Sequence, residues 1–229
     1  MNYSQFAWYY DSLMEPSFYE DYFHFILNHA SFSSVLDLGC GTGRIEEKLQ
    51  NLPIQIDAFD LSDEMIEIAK KNIRNQHIHF YQDDMLSFQP KQTYDLILCI
   101  CDSLNYILGF DNQKAVLKRA YEALNEHGTF IFDIHSGYKM NELFKDYLEE
   151  EENEDFYFYW KVKKTGDYQI THYVIIEDLN EDVRMEEKHI QESYPISWYV
   201  DYFQQLGFKD ITYTESFQDN QRVVFVIKK

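Results

Sequence analysis

The sequence predicts an α/β domain with a doubly wound, mostly parallel sheet and a small antiparallel β insertion. Three observations support this prediction. Apolar strands alternate with amphipathic helices from residue 35 to residue 134, which is typical of parallel sheets that carry helices on both faces. One of these strands, residues 94–100, is an unbroken apolar run, which indicates that both of its faces are buried. Aromatic and β-branched segments separated by turns then occupy residues 156–193 and predict the insertion.

Two helical segments are predicted before the first strand, over residues 3–13 and 17–30. Ser17 and Glu20 have the spacing of a capping box, which favours a start of the second helix at Ser17. We expect these segments to form an N-terminal helical cap on the core.

The first predicted strand, residues 35–38, ends in a loop with glycine at every second position: Gly39, Gly41 and Gly43. Glycine permits left-handed backbone and places no Cβ between main-chain amides and a ligand. The next predicted helix, residues 44–50, would present its N-terminus, which favours negative groups. We therefore expect a small molecule to bind here. A dinucleotide-binding loop would need its third glycine one position later, where this chain has Arg44.

The second predicted strand, residues 54–59, ends at Asp60. A carboxylate roughly twenty residues beyond a glycine loop can accept hydrogen bonds from ribose hydroxyls. Ser62 then provides an N-cap for a helix with an acidic first turn and an apolar stripe. A third strand, residues 77–81, runs into another acidic turn.

The remaining elements complete the alternation. A helix over residues 112–126, capped by Asp111 and closed by Gly128, precedes a fifth strand at residues 129–134. Three antiparallel strands are predicted in the insertion, and two further strands near the end of the chain are joined by a turn. Their ranges are 156–164, 168–178 and 183–193 in the insertion, then 208–216 and 223–228, with the turn at 218–220. The acidic run 149–155 is predicted to be a solvated connection, with a docking surface for a basic partner as the alternative.

Composition limits the classes of function. With 229 residues and 45% apolar content, the chain can bury one full core. A net charge of −20 argues against nucleic acid as a partner, because such binding depends on neutralising phosphates. Cys40, Cys99 and Cys101 are too few for a metal site or a disulfide framework, and the last two are expected on one side of a strand. With no membrane-spanning run and no signal-like start, we expect a cytoplasmic protein.

The motif VLDLGCGTG at residues 35–43 resembles the first motif of the class I S-adenosylmethionine-dependent methyltransferases, and the chain is similar to small stand-alone bacterial members. The resemblance implies a Rossmann-like, seven-stranded sheet whose final strand is antiparallel, with S-adenosyl-L-methionine as the methyl donor. It implies a core of residues 1–150 and 194–229, including the N-terminal helical cap. Residues 151–193 would form a β lid over the acceptor.

The resemblance also implies a set of residues that bind the donor. They are Tyr10, Asp37, Gly39, Cys40, Gly41, Gly43, Asp60, Leu61, Asp84, Met85, Cys101 and Asp102. In this set Asp84 would meet the exocyclic amine of adenine, and Met85 would pack on the ring. The alternative interpretation of Asp84 is an ordinary turn aspartate.

The class of acceptor is constrained by the end of the fourth strand. The segment 101–106 lacks the Asn/Asp-Pro-Pro-Tyr/Phe motif of enzymes that methylate base amines, and it lacks a Pro-Cys nucleophile. We expect in-line transfer to a nitrogen, oxygen or carbon of a small molecule, with His135 or Tyr106 as an optional base. A structural role for His135 is an equal alternative. Methylation of RNA or protein, and a non-catalytic factor that only binds the donor, are the other functional hypotheses. The sequence indicates no oligomeric state.

In the insertion, Glu187, His189 and Gln191 are spaced two apart and are expected on one face of a strand. This face is either part of the acceptor cavity or a solvated outer face. The opposite face, with Arg184, is equally polar, so the pattern alone leaves both open.

Overall fold

The structure is a computed structural model that describes residues 16–152, 156–180, 183–208 and 210–229. The helices are α1 Pro16–His29, α2 Arg44–Leu49, α3 Asp63–Asn72, α4 Phe110–Ala123 and α5 Ile196–Leu206. The strands are β1 Ser34–Leu38, β2 Gln55–Asp60, β3 Ile78–Gln82, β4 Tyr94–Cys99, β5 Leu124–His135, β6 Asp146–Glu152, β7 Phe156–Lys164, β8 Gln169–Asp178, β9 Val183–Glu192, β10 Asp210–Phe217 and β11 Arg222–Lys228. A short 3-10 helix, Ser103–Tyr106, and a π-helical turn, Lys139–Leu143, follow β4 and β5 respectively.

In the described residues, the main sheet has seven strands in the order β10-β11-β5-β4-β1-β2-β3. Strands β1 to β5 are parallel, whereas β11 is antiparallel to both β5 and β10. The predicted α/β class and the antiparallel final strand are therefore confirmed. Because the carboxyl ends of the parallel strands share one edge, the loops after β1, β2, β3 and β4 converge there.

Two apolar layers hold the sheet between helices. Tyr22, Ile45 and Ile66, from α1, α2 and α3, pack on one face of the sheet. Val116 of α4 and Phe203 of α5 pack on the other face. Strand β4 contributes to both apolar layers, because its alternate side chains pack on opposite faces of the sheet.

The insertion is a second, four-stranded antiparallel sheet in the order β6-β7-β8-β9. The prediction of three strands was wrong, because residues 149–152 of the acidic run belong to a fourth strand, β6. These residues are exposed to solvent, but they pair with β7 and do not form a simple connection. Glu149 lies opposite Trp160, and Glu150 accepts a hydrogen bond of 2.8 Å from the hydroxyl of Tyr157. A row of carboxylates on an edge strand also discourages pairing with another chain.

One helix was missed by the sequence analysis. Helix α5 follows Pro195, buries Tyr199 and Phe203, and ends at Gly207, whose φ of 97° is left-handed. Its aromatic residues resemble those of the neighbouring strands, which masked their helical spacing.

Helix α4 also differs from its prediction. It begins after Gly109, so Asp111 lies in its first turn and is not the cap. It ends at Ala123, and β5 begins directly at Leu124 with an irregular register to β4. Helix α3 begins as predicted, since the Ser62 hydroxyl accepts a hydrogen bond of 3.2 Å from the Met65 N–H.

The start of α1 lies at Pro16, so Ser17 is inside the helix and the predicted capping box is wrong. Glu20 instead pairs with Lys48 of α2 at 2.5 Å. The first predicted helical segment, residues 3–13, lies outside the described residues.

The three cysteines are free. Cys101 follows the end of β4 with a left-handed φ of 60°, so it packs with the opposite apolar layer from Cys99 and the two do not share one side of a strand. In the described part of the chain, no group of three or more His, Cys, Asp or Glu side chains could hold a metal ion. None of the described helices is both long and apolar enough to cross a membrane.

Candidate active site

The glycine loop after β1 is tightly packed on one side and open on the other. A Cβ on Gly39 would lie 2.6 Å from Met85 Cε and 2.8 Å from Ser103 Oγ. A Cβ on Gly41 would have no protein atom within 4 Å. Both residues have left-handed φ values, 82° and 56°. The backbone of Gly41 therefore faces open space, where a ligand can approach it.

A cavity of about 760 Å³ lies over this loop and extends to the insertion. That volume falls within the range of roughly 300–1,000 Å³ that is typical of sites for small ligands. The cavity brings together most of the residues selected from the sequence. They are Asp37, Gly39, Cys40, Gly41, Asp60, Leu61, Asp84, Met85, Cys101, Asp102, Tyr106 and His135.

Among the described residues of this set, Gly43 is not part of the cavity wall. Gly43 caps α2 with a φ of 83°, and its missing Cβ leaves room for Ile73 and Phe80 behind the loop. Tyr10 lies outside the described residues.

Asp60 connects the ends of the first two strands. Its Oδ2 accepts a hydrogen bond of 2.9 Å from the Gly41 N–H, and its Oδ1 accepts one of 2.9 Å from the Ser62 N–H. Burial raises the pKa of Asp60, while these backbone donors oppose the rise. Each oxygen keeps a second lone pair for a ligand hydroxyl. We refer to Gly39, Gly41, Asp60, Asp84 and Met85 as the loop side of the cavity.

Asp84 lies in the cavity wall and also supports its own turn. Its Oδ1 accepts a hydrogen bond of 2.9 Å from the Leu86 N–H. The two interpretations of this residue are therefore compatible.

A buried carboxyl pair lies beneath the loop. Asp37 and Glu46 are 2% and 1% exposed. Burial raises the pKa of Asp37 to about 6 and also raises the pKa of Glu46 well above its ordinary value. The sequence analysis did not select Glu46. Its only signal is its place in α2, where Leu49 follows one turn later on the same buried face.

Asp102 is held by cations from distant parts of the chain. Arg222 of β11 contacts both of its carboxylate oxygens, with the Nη2–Oδ2 contact at 2.8 Å, and Lys139 Nζ lies 3.8 Å from Oδ2. Burial opposes ionisation of Asp102, but Arg222, His135 and Lys139 together hold its pKa well below the usual range. Arg222 also contacts Asp133, whose pKa burial raises to about 7.

The two candidate bases occupy different environments. His135 is buried, with Nδ1 3.1 Å from Asp102 Oδ1 and Nε2 2.8 Å from Gln191 Oε1. Burial lowers the pKa of His135, which favours the neutral ring. Since both ring nitrogens face protein groups, this geometry favours a structural role over proton transfer.

Tyr106 is 48% exposed and lies in the cavity wall. Its ring meets that of His189 edge-to-face, with 5.9 Å between centroids. Desolvation raises the pKa of Tyr106, and the charges of Asp102, Glu187 and Asp60 add to the rise. A pKa raised above the ordinary value keeps the phenol protonated near neutral pH.

One face of the insertion sheet forms the far wall of the cavity, which we call the insert side. It comprises Glu149, Phe158, Trp160, His172, Val174, Ile176, Glu187, His189 and Gln191. Of the two alternatives for Glu187, His189 and Gln191, the structure supports the cavity. Glu186 and Lys188, between them, are on the exposed outer face.

Comparisons with known proteins agree with this geometry. A family model described as a methyltransferase domain matches residues 35–128. A protein of Geobacillus sp. (strain WCH70), which carries the name of a methyltransferase, is 30% identical over 248 aligned residues, covering 100% of both chains. The crystal structure of a S-adenosylmethionine-dependent methyltransferase from Clostridium acetobutylicum ATCC 824 is 26% identical. Its TM-score is 0.83, with 99% of this chain and 98% of that chain covered.

The fold is shared more widely. CalS10, an amino pentose methyltransferase from Micromonospora echinaspora solved with the donor bound, has a TM-score of 0.75 at 16% identity, over 97% of this chain and 94% of that chain. The residues of the loop side fit the donor, because they offer an open backbone at Gly41, a carboxylate at Asp60 and an apolar side chain at Met85. Because a methyltransferase relative aligns over the whole chain at 30% identity and the fold matches as well, this chain belongs to the class I S-adenosylmethionine-dependent methyltransferases.

Proposed function

We propose that this enzyme methylates a small molecule that binds in the cavity between the loop side and the insert side. The observation that carries the proposal is the continuity of one cavity from Gly41 to the inner face of the insertion sheet. A cavity of this size suits small molecules, and its wall on the insertion combines the aromatic rings of Phe158 and Trp160 with apolar and polar side chains.

The proposed donor ligands lie on the loop side. Asp60 would accept hydrogen bonds from the ribose hydroxyls, and Asp84 and Met85 would contact the adenine ring. Asp37 and the backbone of Gly39 and Gly41 would surround the methionine part. S-Adenosylmethionine supplies a methyl group already activated by its sulfonium sulfur, so the protein mainly has to align the acceptor and exclude water.

The insertion sheet is proposed to act as the lid that excludes this water. Contacts with the core hold it in place: the Asn105 side-chain amide donates a hydrogen bond of 2.7 Å to Glu192 O, and the Gly109 N–H donates one of 2.6 Å to Glu192 Oε2. Ser193 Oγ also donates a hydrogen bond of 2.7 Å to the His135 carbonyl. These bonds connect the end of β9 to the loops that follow β4 and β5.

Charge supports a small molecule over RNA. The chain carries 40 acidic and 20 basic residues, and Arg222 and Lys139 in the cavity wall are paired with Asp102. A phosphate backbone would therefore meet a negative surface. We also propose a cytoplasmic location, because three free cysteines fit a reducing compartment.

Two measurements test the proposal in sequence. Calorimetric titration with S-adenosylmethionine should show binding at one site per chain. Incubation of the enzyme with isotope-labelled donor and a bacterial metabolite extract should then place the label in a small molecule identified by mass spectrometry. Label confined to added RNA or protein would contradict the proposed acceptor class. Donor binding without any labelled product would indicate a non-catalytic factor.

A further inference from the structure

Lys139 is a buried lysine in the wall of the cavity. It begins the π-helical turn that follows β5, and its side chain is 7% exposed. Both of its backbone groups are held. The Lys139 N–H donates a hydrogen bond of 3.0 Å to Ser136 Oγ, and the Lys139 carbonyl accepts one of 2.8 Å from the Phe144 N–H. The lysine side chain therefore extends from a fixed point beside the cavity.

The ammonium group of Lys139 has no hydrogen-bond acceptor among the residues that the structure describes. Its contact with Asp102 is an ion pair of 3.8 Å between Nζ and Oδ2, and the centroid of the Phe144 ring lies 4.9 Å from Nζ. Asp102 instead takes its hydrogen bonds from Arg222, which contacts both carboxylate oxygens. Three buried N–H donors without an acceptor are costly. The geometry therefore favours a ligand that brings an acceptor to Lys139.

The other lysine and arginine side chains in the described cavity wall are Arg44 and Arg222, and both are more closely paired. Arg44 Nη1 lies 3.3 Å from Glu47 Oε2, and Arg222 Nη2 lies 2.8 Å from Asp102 Oδ2. Burial lowers the pKa of Lys139 to about 8, because its ammonium group has lost contact with water. A bound anion would replace the solvation that this group has lost.

The charges around Lys139 leave a positive surplus. The groups whose charges act on it are Asp102, Arg222 and Asp133. Arg222 and Lys139 are both cations, and Asp102 is held ionised. Burial raises the pKa of Asp133 to about 7, so this carboxyl group is partly protonated near neutral pH. The surplus suits a monoanion such as a carboxylate better than a phosphate ester, which carries up to about two negative charges.

Aromatic rings surround this ammonium group on the side of the insertion. The centroid of the Phe144 ring lies 5.6 Å from those of Trp160 and His172. Lys139 and these three side chains all belong to the cavity wall. A ligand whose negative group reaches Lys139 can therefore pack its carbon skeleton against the rings.

We propose that the acceptor is a carboxylic acid whose carboxylate binds the ammonium group of Lys139 and whose carbon skeleton packs on Phe144 and Trp160. The inference deepens the proposed function and rests on it. Asp60 and Asp84 of the loop side repel the same carboxylate, so the acid is oriented with its negative group at Lys139.

A binding experiment tests the anion site. The full-length protein, saturated with S-adenosylhomocysteine, is titrated in a calorimeter near neutral pH with phenylacetate and with phenylacetamide, which have nearly the same shape but differ in charge. We expect phenylacetate to bind about 10-fold more tightly, because a hydrogen bond between charged groups contributes more than a neutral one. Lys139→Met should abolish this preference, while its affinity for S-adenosylhomocysteine stays that of the wild-type protein.

Lys145→Met is the matched control. It removes the same charge from the neighbouring part of the chain, but Lys145 is exposed and lies outside the cavity wall. It should keep the preference for phenylacetate.

The proposal is wrong if phenylacetate binds the wild-type protein no better than phenylacetamide, including the case in which neither binds. This comparison does not depend on the folding of any variant. The proposal is also wrong if the preference survives Lys139→Met. Weaker binding of S-adenosylhomocysteine to folded Lys139→Met would assign the lysine to the carboxylate of the donor and would overturn the proposal as well.

Labelling of a metabolite extract tests the acceptor class directly. With isotope-labelled donor, the labelled product should be a carboxylic acid or the methyl ester of one. Lys139→Met should raise KM for the acid that is identified, whereas Lys145→Met should not. A labelled product without a carboxyl or carboxyl-ester group would overturn the proposal. Failure of the proposed function would differ, because the wild-type protein would then not bind S-adenosylhomocysteine or would label only RNA or protein.

Discussion

On the loop side of the cavity, the polar groups come from the ends of consecutive strands in one sheet. On the insert side, they come from alternate positions along neighbouring strands. Gly41 and Asp60 of the loop side are 19 residues apart and bond directly, whereas Gln191 of the insert side contacts His135, which is 56 residues away in the sequence. The residues of a site made from strand ends can be predicted from the order of strands and turns in the sequence. A site made from one face of a separate sheet depends on register and on contacts between distant elements.

A buried ion cluster of Asp102, Asp133 and Arg222 adjoins the insert side through His135, which contacts both Asp102 and Gln191. Arg222→Met should have the largest effect, a loss of about 3–5 kcal/mol in the free energy of unfolding, because it leaves buried carboxylates without their cation. Urea denaturation measures the change. Arg184→Met is the control, since Arg184 is an exposed partner of Glu177 and Glu186 and should cost less than about 1 kcal/mol. Equal losses in the two variants would contradict the role of the cluster.

In the glycine loop, Gly39 is required for packing, whereas Gly41 leaves space for a ligand. Gly39→Ala should reduce stability by about 2–4 kcal/mol, because the residue has a left-handed φ and its Cβ would clash with Met85 and Ser103. Gly41→Ala should cost only about 1–2 kcal/mol, since its strain comes from φ alone. Thermal or urea unfolding measures both. Titration with S-adenosylmethionine should show weaker binding to Gly41→Ala, and unchanged binding there would place the donor elsewhere.

The proposed ribose ligand is tested by Asp60→Ala. Donor binding should weaken by about 1–3 kcal/mol through the loss of charge-assisted hydrogen bonds, as measured by calorimetry. Asp63→Ala is the control, because Asp63 is exposed in the first turn of α3 and lies outside the cavity wall. An unchanged affinity in Asp60→Ala would mean that the adenosine lies in another position.

A further prediction concerns the dependence of stability on pH. The pKa of Asp37 rises from an ordinary value of 3.8 to about 6, so the folded protein holds a proton that the unfolded chain has released over this interval. Stability from this group is therefore present below the unfolded pKa and is lost as pH rises through the folded one. Asp37→Asn should flatten this part of the stability profile, measured by urea denaturation at a series of pH values. If the free energy of unfolding of Asp37→Asn keeps the same slope against pH, the pH dependence belongs to other groups, such as Asp133.

The difference between the loop side and the insert side explains how much of the fold and of the site could be predicted from the sequence. The parallel sheet and the loop side followed from the order of strands, turns and helices, because each signal is local. Helix α5 and strand β6 were missed, since aromatic residues suit strands as well as helices and a run of glutamates suits solvent. Arg222 and Glu46 had no local signal, because their roles depend on which buried carboxylates they meet in the folded protein.

A crystal structure with S-adenosylhomocysteine bound tests the central claim most directly. The account predicts that the ribose lies against Asp60, that the chain of the ligand passes over Gly41, and that its sulfur faces Tyr106 and the insert side of the same cavity. A ligand bound elsewhere, or a sulfur atom separated from Glu187 and His189 by a protein wall, would contradict it.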